Sequence, residues 1–357
     1  MRAKLLAQEE LSRYDPGALR GAVLLAPVRL DTETLRKGTQ LDAERGALLV
    51  AAAQSRGLTQ PVRLAWPDPG DLHEDAAAEL LASAAAGFGV KRLPPRQSRL
   101  DLVAAWDGVL HIRTDALLRL NAIDSLELFT LFHGQAVQAG QIVASVKVAP
   151  HLIPAAIVAD GVRIASEREE SLIRVRHYEP LDVAAIVIEN VSNVDLARFE
   201  TGARMKVKAL GSRFIGTTLV ARAALDTESE IRAALENLIL ERNVPVVLVG
   251  GVSAGDPLSP FYGALSNLGG RVVRHGIPAH PGSMIWLAEL AGSQLLGLPQ
   301  CGMFTMATAA DLILPRMLTG ERLTARALAE LAHGGVLTGA MRFRFPAYAQ
   351  DLEAPEG

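Results

Sequence analysis

After Pro180 the chain alternates between short aliphatic runs and segments whose apolar positions recur at three- and four-residue intervals, the pattern of parallel strands joined by helices. A strand is predicted over residues 183–188. It leads into an amphipathic segment with Leu196, Phe199, Val207 and Leu210 on one face, closed by Gly211. A second strand is expected over 213–220. The next helix is marked by Thr227 and Glu230 at capping-box spacing and by Ile231, Leu235, Leu238 and Ile239 at helical period. The run PVVLVGG, residues 245–251, reads as a buried strand that enters the loop GGVSAGD.

Before Pro180 the pattern is less regular. Residues 20–70 hold the aliphatic run GAVLLAPVRL, the polar stretch LRKGTQLD and an Ala/Leu segment that ends at Pro67-Asp68-Pro69-Gly70, a turn or boundary by composition. HEDAAAELLASAAAG, residues 73–87, combines helix formers, an acidic first turn and a closing glycine, which predicts a helix. GVLHIRTDALLRLNAI and GQIVASVKVAP read as strands of a small sheet, and a linker is expected near Tyr178-Glu179-Pro180. The expected organisation is therefore a small mixed α/β region over 1–70, an α+β region over 71–179, a three-layer α/β domain over 180–338 and a tail over 339–357. In the third of these, helices should cover both faces of a mostly parallel sheet.

Length and composition narrow the function classes. A chain of 357 residues exceeds what one core usually organises. With 49% hydrophobic residues, 21% charged residues and a net charge of -3, it carries no basic field for nucleic acid. Aromatic residues are 4% of the chain, so aliphatic side chains must build the cores. The single cysteine, Cys301, allows no internal disulfide and no thiolate zinc cluster, which fits a reducing cytoplasm. The first residues lack the apolar core of a secretory signal, and no uncharged apolar stretch approaches the roughly 20 residues a membrane span needs. The expectation is a cytoplasmic protein with no membrane or nucleic-acid partner.

The chemistry concentrates after the strand at 245–251. A buried strand that runs into a glycine-rich turn and then a helix places backbone N–H groups and a positive helix end at the carboxyl edge of a sheet, where phosphates bind. Ser259 can cap the helix, Pro260 suits its first position, and Gly269-Gly270 end it. Gly250, Gly251 and Gly255 permit close backbone approach along Val252 and Ala254, and Ser253 offers a hydroxyl. The same glycines also suit a tight turn with no ligand, so spacing alone leaves both readings open.

The run GGVSAGD, followed by LGGRVVRHGIPAHPG and LLGLP, resembles the molybdopterin-binding domain of molybdenum-cofactor biosynthesis proteins over approximately residues 182–337. GLPQC with DLILPRMLTGERLT resembles a molybdotransferase-like subgroup of that family, and so, more weakly, do LRKGTQLD, LHEDAAAELLA and GQIVASVKVAP. The resemblance implies a site for the pterin phosphate made of three loops. These are Gly250 to Asp256; His280, Pro281, Gly282 and Ser283; and Gly297, Leu298, Pro299, Gln300 and Cys301. It also implies molybdopterin or the molybdenum cofactor as ligand, magnesium at the phosphate, a homo-oligomer, and a molybdoenzyme or another cofactor-biosynthesis protein as partner.

The sequence departs from the family at three places. Where molybdotransferases carry the acidic residue associated with magnesium and catalysis, this chain has Leu258, which can neither ligate a hard cation nor move a proton. Asp256 can take that role from a neighbouring place or simply cap the turn. The third loop reads GLPQCG in place of a Gly-Asn-Pro continuation, and its Cys301 is either a soft ligand near molybdenum or a small buried apolar residue. The second loop lacks the family lysine, leaving His280 and Ser283 to meet phosphate with less fixed charge.

Other candidates have plainer readings. His275 and His280 suit turn or ligand-contact roles, Asn190, Ser192 and Asn193 suit pterin contact or helix capping, and Arg316, Arg322 and Arg326 suit a solvated face. The functions that follow are molybdate insertion into adenylylated molybdopterin, a non-catalytic cofactor carrier or maturation factor, and a regulator that binds another phosphate ligand.

Overall fold

The computed structural model describes residues 1–31, 33–96, 99–188, 192–220, 227–298 and 306–350. The chain forms two compact units. The first comprises Met1–Ala105, His111–His133 and Ala139–Val175; the second comprises Trp106–Leu110, Gly134–Gln138 and Arg176–Gly357. No described helix is long and apolar enough to cross a membrane.

The second unit is α/β. Its elements run β1 (Asp182–Ile188), α1 (Asn193–Ala209), β2 (Arg213–Val220), α2 (Thr227–Leu235), β3 (Val246–Gly250), α3 (Pro260–Asn267), β4 (Arg271–His275), β5 (Trp286–Leu290), β6 (Ser293–Leu298) and α4 (Ala310–Met317). The six-stranded sheet has the order β2-β1-β3-β6-β5-β4. The first four strands are parallel, and β5 and β4 extend the sheet antiparallel to their neighbours.

Both faces are buried, which explains the near-continuous aliphatic runs. Val183, Ala185, Val187, Leu248, Leu296 and Leu298 pack with Phe199, Ala203 and Val207 of α1 and Ile313 and Met317 of α4. The alternate residues Ala184, Ile186, Val247 and Val249 pack with Ile231 and Leu235 of α2 and Phe261 and Leu265 of α3. The expected α/β class, with a mostly parallel sheet covered on both faces, is what the structure has.

Local signals translate unevenly. Ser192 caps α1 by accepting a 3.1 Å hydrogen bond from the Asp195 amide, as its helix-capping reading expects, and Gly211 ends the turn beyond the helix at φ 72°. Asn190 lies outside the described residues. After Leu235 the helix widens into a π-helical turn, Glu236–Glu241, which still buries Leu238 and Ile239. Ser259 is the N-cap of α3, yet its side chain makes no capping hydrogen bond, contrary to the sequence expectation. Arg316 is a further correction. It is 2% exposed, and its guanidinium lies 2.6 Å from Glu321, because α4 is buried all round and leaves no solvated face there. Arg322 and Arg326 are exposed as expected. Tyr178, where a linker is expected, is packed on the second unit's core and donates a 3.3 Å hydrogen bond to the Gly108 carbonyl, while the division between the units falls at Val175 and Arg176.

The first unit is α+β, built on antiparallel sheets. Leu126–Thr130, Ile142–Val148, Arg99–Ala104 and Val90–Arg92 form a four-stranded sheet, and Arg2–Leu6, Val62–Trp66 and Val23–Leu24 a smaller one. The expected helix at 73–87 is Glu74–Ala85, with His73 as its N-cap. The run GVLHIRTDALLRLNAI is strand only as far as Ile112. Its second part, Thr114–Asn121, is a helix that buries Ala116 and Leu120, a four-residue spacing masked by the adjoining β-branched run.

Candidate functional site

The sheet has a topological switch point. From β1 the chain moves outward to β2, returns to pair β3 on the other side of β1, and continues to β6. Helices α1 and α3, which follow β1 and β3, therefore lie on opposite faces, and a crevice opens beyond the carboxyl ends of those strands. The register sharpens this. Val187, Gly250 and Leu298 stand abreast in the ladder, so the loops after β1, β3 and β6 leave the sheet at one level.

Three contacts gather the predicted stretches at that edge. The Gly251 amide donates to the Leu298 carbonyl at 3.3 Å, the Ala254 amide to the Met284 carbonyl at 3.2 Å, and the Ala309 amide to the Pro281 carbonyl at 2.9 Å. The first two predicted loops and the end of β6 are thus neighbours. Pro299, Gln300 and Cys301 lie outside the described residues. His280 and Ser283 are exposed, Pro281 is buried, and the His280 amide donates to the Gly335 carbonyl at 2.8 Å. The ring of His275, at the end of β4, meets Tyr262 edge-on at 5.2 Å.

The glycines divide by role. Gly251 sits at φ 82°, a conformation glycine adopts without penalty. At Gly255 an added methyl would meet the Met284 side chain at 2.7 Å. Gly297 faces into the core, where an added methyl would lie 1.9 Å from the Trp286 indole, so its smallness seats the cross-strand tryptophan.

That tryptophan supports the loop from beneath. Trp286 is 0% exposed and packs on Phe261 at 4.8 Å and Tyr262 at 5.8 Å between ring centroids. Its indole N–H donates to the Val252 carbonyl at 2.9 Å, and the Tyr262 hydroxyl donates to the Ser253 carbonyl at 3.2 Å. A trans peptide holds N–H and C=O on opposite sides, so drawing the Val252 carbonyl down onto Trp286 turns the Ser253 amide the other way. Burial, together with the Asp256 charge, pushes the Tyr262 hydroxyl up to about 12 and so extends its role as a donor into alkaline solution.

Most of the loop's amides are already used. Those of Gly251 and Ala254 have the partners above; Gly255 donates to Ser253 Oγ at 3.2 Å, Asp256 to the Ser253 carbonyl, Leu258 to Asp256 Oδ1 at 3.1 Å and Ser259 to the Asp256 carbonyl. Val252 and Ser253 keep amides without an acceptor in the described chain, and the Ser253 hydroxyl proton adds a third donor. The cradle is narrower than its glycine content implies. Asp256 does form the turn expected of it, with one carboxylate oxygen on the Leu258 amide. Leu258 itself is 89% exposed. Among the described residues no three His, Cys, Asp or Glu side chains converge as a metal site. A magnesium ion here would rest on Asp256 and on ligand oxygens, a donor set that this small, water-retaining cation accepts.

Sequence reasoning also missed a buried ion pair behind β3 and β6. Lys206 of α1 lies 2.7 Å from Asp311 of α4, whose carboxylate is 1% exposed, at a wall of a cavity of about 30 Å³ lined by Leu248 and Leu298. The Asp311 Oδ2 atom accepts from the Thr308 amide at 3.0 Å, and Thr308 Oγ from the Ala310 amide at 3.2 Å, so Asp311 joins the start of α4 to α1. No periodic signal marks such a pair.

No protein-family model matches the chain, and no curated protein matches it. Among solved structures the chain is similar to a molybdopterin biosynthesis MoeA protein from Pyrococcus horikosii, at 14% identity and a TM-score of 0.31, over 72% of this chain and 80% of that one. It is also similar to the molybdopterin biosynthesis enzyme MoaB from Thermus thermophilus, at 14% identity and a TM-score of 0.27, over 40% of this chain and 98% of that one. Scores this low carry no conclusion about function, which rests on the residues themselves.

Proposed function

We propose that the carboxyl edge of the six-stranded sheet binds the phosphate end of a molybdopterin-type pterin. The supporting observation is that the stretches carrying the sequence resemblance, Gly250 to Asp256, His280 to Ser283 and Gly297-Leu298, lie together at a topological switch point. The amides of Val252 and Ser253 and the Ser253 hydroxyl supply anion donors; His280 and Ser283 supply the second wall. Pro299, Gln300 and Cys301 belong to the proposed site by sequence position.

Within this reading, binding and delivery are favoured over catalysis. Leu258 occupies the family's acidic position and is solvent-exposed, while one oxygen of Asp256 is committed to its own turn. The protein is then a carrier or maturation factor that hands the cofactor to a molybdoenzyme in the cytoplasm, as a homo-oligomer. The enzymatic alternative inserts molybdate as adenylylated molybdopterin is cleaved, with magnesium held by Asp256 and the phosphates and with backbone positioning as the main source of rate.

The deciding experiment purifies the protein from a cofactor-producing host and oxidises any bound pterin to its fluorescent product. Ser253→Asp, which sets a carboxylate beside the proposed phosphate, should abolish the signal; undiminished pterin in that variant moves the site elsewhere. Adenylate release from adenylylated molybdopterin with magnesium and molybdate separates the two versions, and absence of turnover despite binding selects the carrier.

A further inference from the structure

Three stretches of the first unit that are far apart in sequence meet around one cleft. LRKGTQLD contributes Arg36 and Lys37, LHEDAAAELLA contributes His73 and Glu74, and GQIVASVKVAP contributes Lys147, with His151 just beyond it. The cleft encloses about 660 Å³, within the range of small-molecule sites. None of this belongs to the sheet edge described above.

The floor of the cleft is built. The short ribbon Asp71–His73 pairs with Leu152–Pro154, bringing His73 opposite Leu152 and setting the start of the helix Glu74–Ala85 beside His151. The Glu74 amide donates to the His151 carbonyl at 3.0 Å, and the His151 ring Nδ1 lies 2.9 Å from Glu74 Oε1. His73 Nδ1 accepts from the Asp75 amide at 3.2 Å, so its Nε2–H donates to the Gly38 carbonyl at 2.9 Å. Gly38 holds φ 81°, and a methyl there would stand 2.6 Å from Glu74 Oε1, so the basic loop approaches this closely only with glycine.

Two features are unspent. Glu74 is 4% exposed, yet among the described residues its Oε2 has no hydrogen-bond partner, a costly state for a buried carboxylate oxygen unless a ligand donates to it. Around it Arg36, Lys37 and Lys147 form no ion pair among the described residues, although Lys147 is half-buried. An acceptor at the floor and unpaired cations around it call for a ligand with a donor at one end and an anion at the other.

We infer that this cleft is a second binding site, for a small phosphomonoester bearing hydroxyl or amino donors: Lys37, Arg36 and Lys147 hold the phosphate, and Glu74 Oε2 accepts from the donor end. The inference is independent of the pterin reading.

Calorimetric titration of the full-length protein with ribose 5-phosphate, AMP and GMP tests it, with inorganic phosphate and ribose as the separate fragments. At least one phosphomonoester should bind ten-fold or more tightly than inorganic phosphate. Lys147→Ala and Lys37→Ala, both changes at groups without ion-pair partners, should each weaken it about ten-fold, while Ser253→Asp at the sheet edge leaves it unchanged. Glu74→Gln should weaken the phosphomonoester but not inorganic phosphate. Three results overturn the inference: no member of the panel exceeding inorganic phosphate, affinity unmoved in both folded lysine variants, or loss of binding in Ser253→Asp alone. The first would leave Glu74 Oε2 to an ordered water.

Discussion

At the edge of the six-stranded sheet the groups that the proposed reading offers to a ligand belong mostly to the backbone, and most of the loop amides are already satisfied within the chain. In the cleft of the first unit they are side chains: one buried carboxylate oxygen, Glu74 Oε2, has no hydrogen-bond partner among the described residues, and three cations around it have no ion pair there. The edge is held by apolar packing on Trp286 and by short turns, so its substitutions should register first as lost stability. The cleft carries cations that contribute little to folding, so their substitutions should register as lost binding. A glycine-rich loop advertises a site in sequence while offering few free donors; a charged cleft offers many and advertises itself only when distant segments are brought together.

The largest effect that tests this contrast is Trp286→Ala. It empties a fully buried site beneath the loop and should cost about 3–5 kcal/mol in denaturant unfolding. A cost below about 1 kcal/mol would show that the loop does not depend on the indole.

Lys206→Met comes next. It leaves Asp311 buried without its counter-charge and should cost roughly 3 kcal/mol, with partial recovery when Asp311→Leu is added. Additive losses in the double variant would remove the coupling.

Gly251→Ala forces a side chain into left-handed backbone at φ 82° and should cost about 1 kcal/mol. An unchanged denaturation midpoint would mean the turn relaxes to accept it.

A pH series probes the same support. The Tyr262 hydroxyl titrates at about 12 in the folded protein, against about 10 when unfolded, because burial and the Asp256 charge disfavour the phenolate. Its stabilisation is therefore complete below about pH 10 and is lost as pH rises through about 12. Tyr262→Phe should lack that component of the alkaline loss; an identical alkaline profile in the variant would assign the loss to other groups.

The smallest effect is expected at the cleft, where Lys37→Ala should change stability by no more than about 0.5 kcal/mol. A larger loss would make the cation structural.

Sequence periodicity carried the second unit well. Alternating burial on two faces makes β1 and β3 continuous aliphatic runs, and α1 shows its apolar stripe at Phe199, Ala203 and Val207. It failed where neighbours override local pattern. Thr114–Asn121 follows a strand without a breaker, Arg316 is a charged residue in a helix buried on all sides, and the π-helical turn keeps the same apolar positions as an α-helix would. At the proposed site, glycine spacing marked the loop after β3 but not its support, because the fit of Trp286 over Gly297 is a cross-strand relation between residues with no local signature. The Lys206–Asp311 pair and the gathering of Lys37, Glu74 and Lys147 likewise exist only after folding.

The placement of Trp286 also gives the protein an optical reporter. Of its three tryptophans, Trp66 and Trp106 are partly exposed, whereas Trp286 is enclosed, with its indole N–H tied to the loop carbonyl of Val252. Replacing the other two by phenylalanine leaves emission from a single fluorophore whose colour and intensity follow that one attachment, so movement of the loop on its support can be watched in solution without a label.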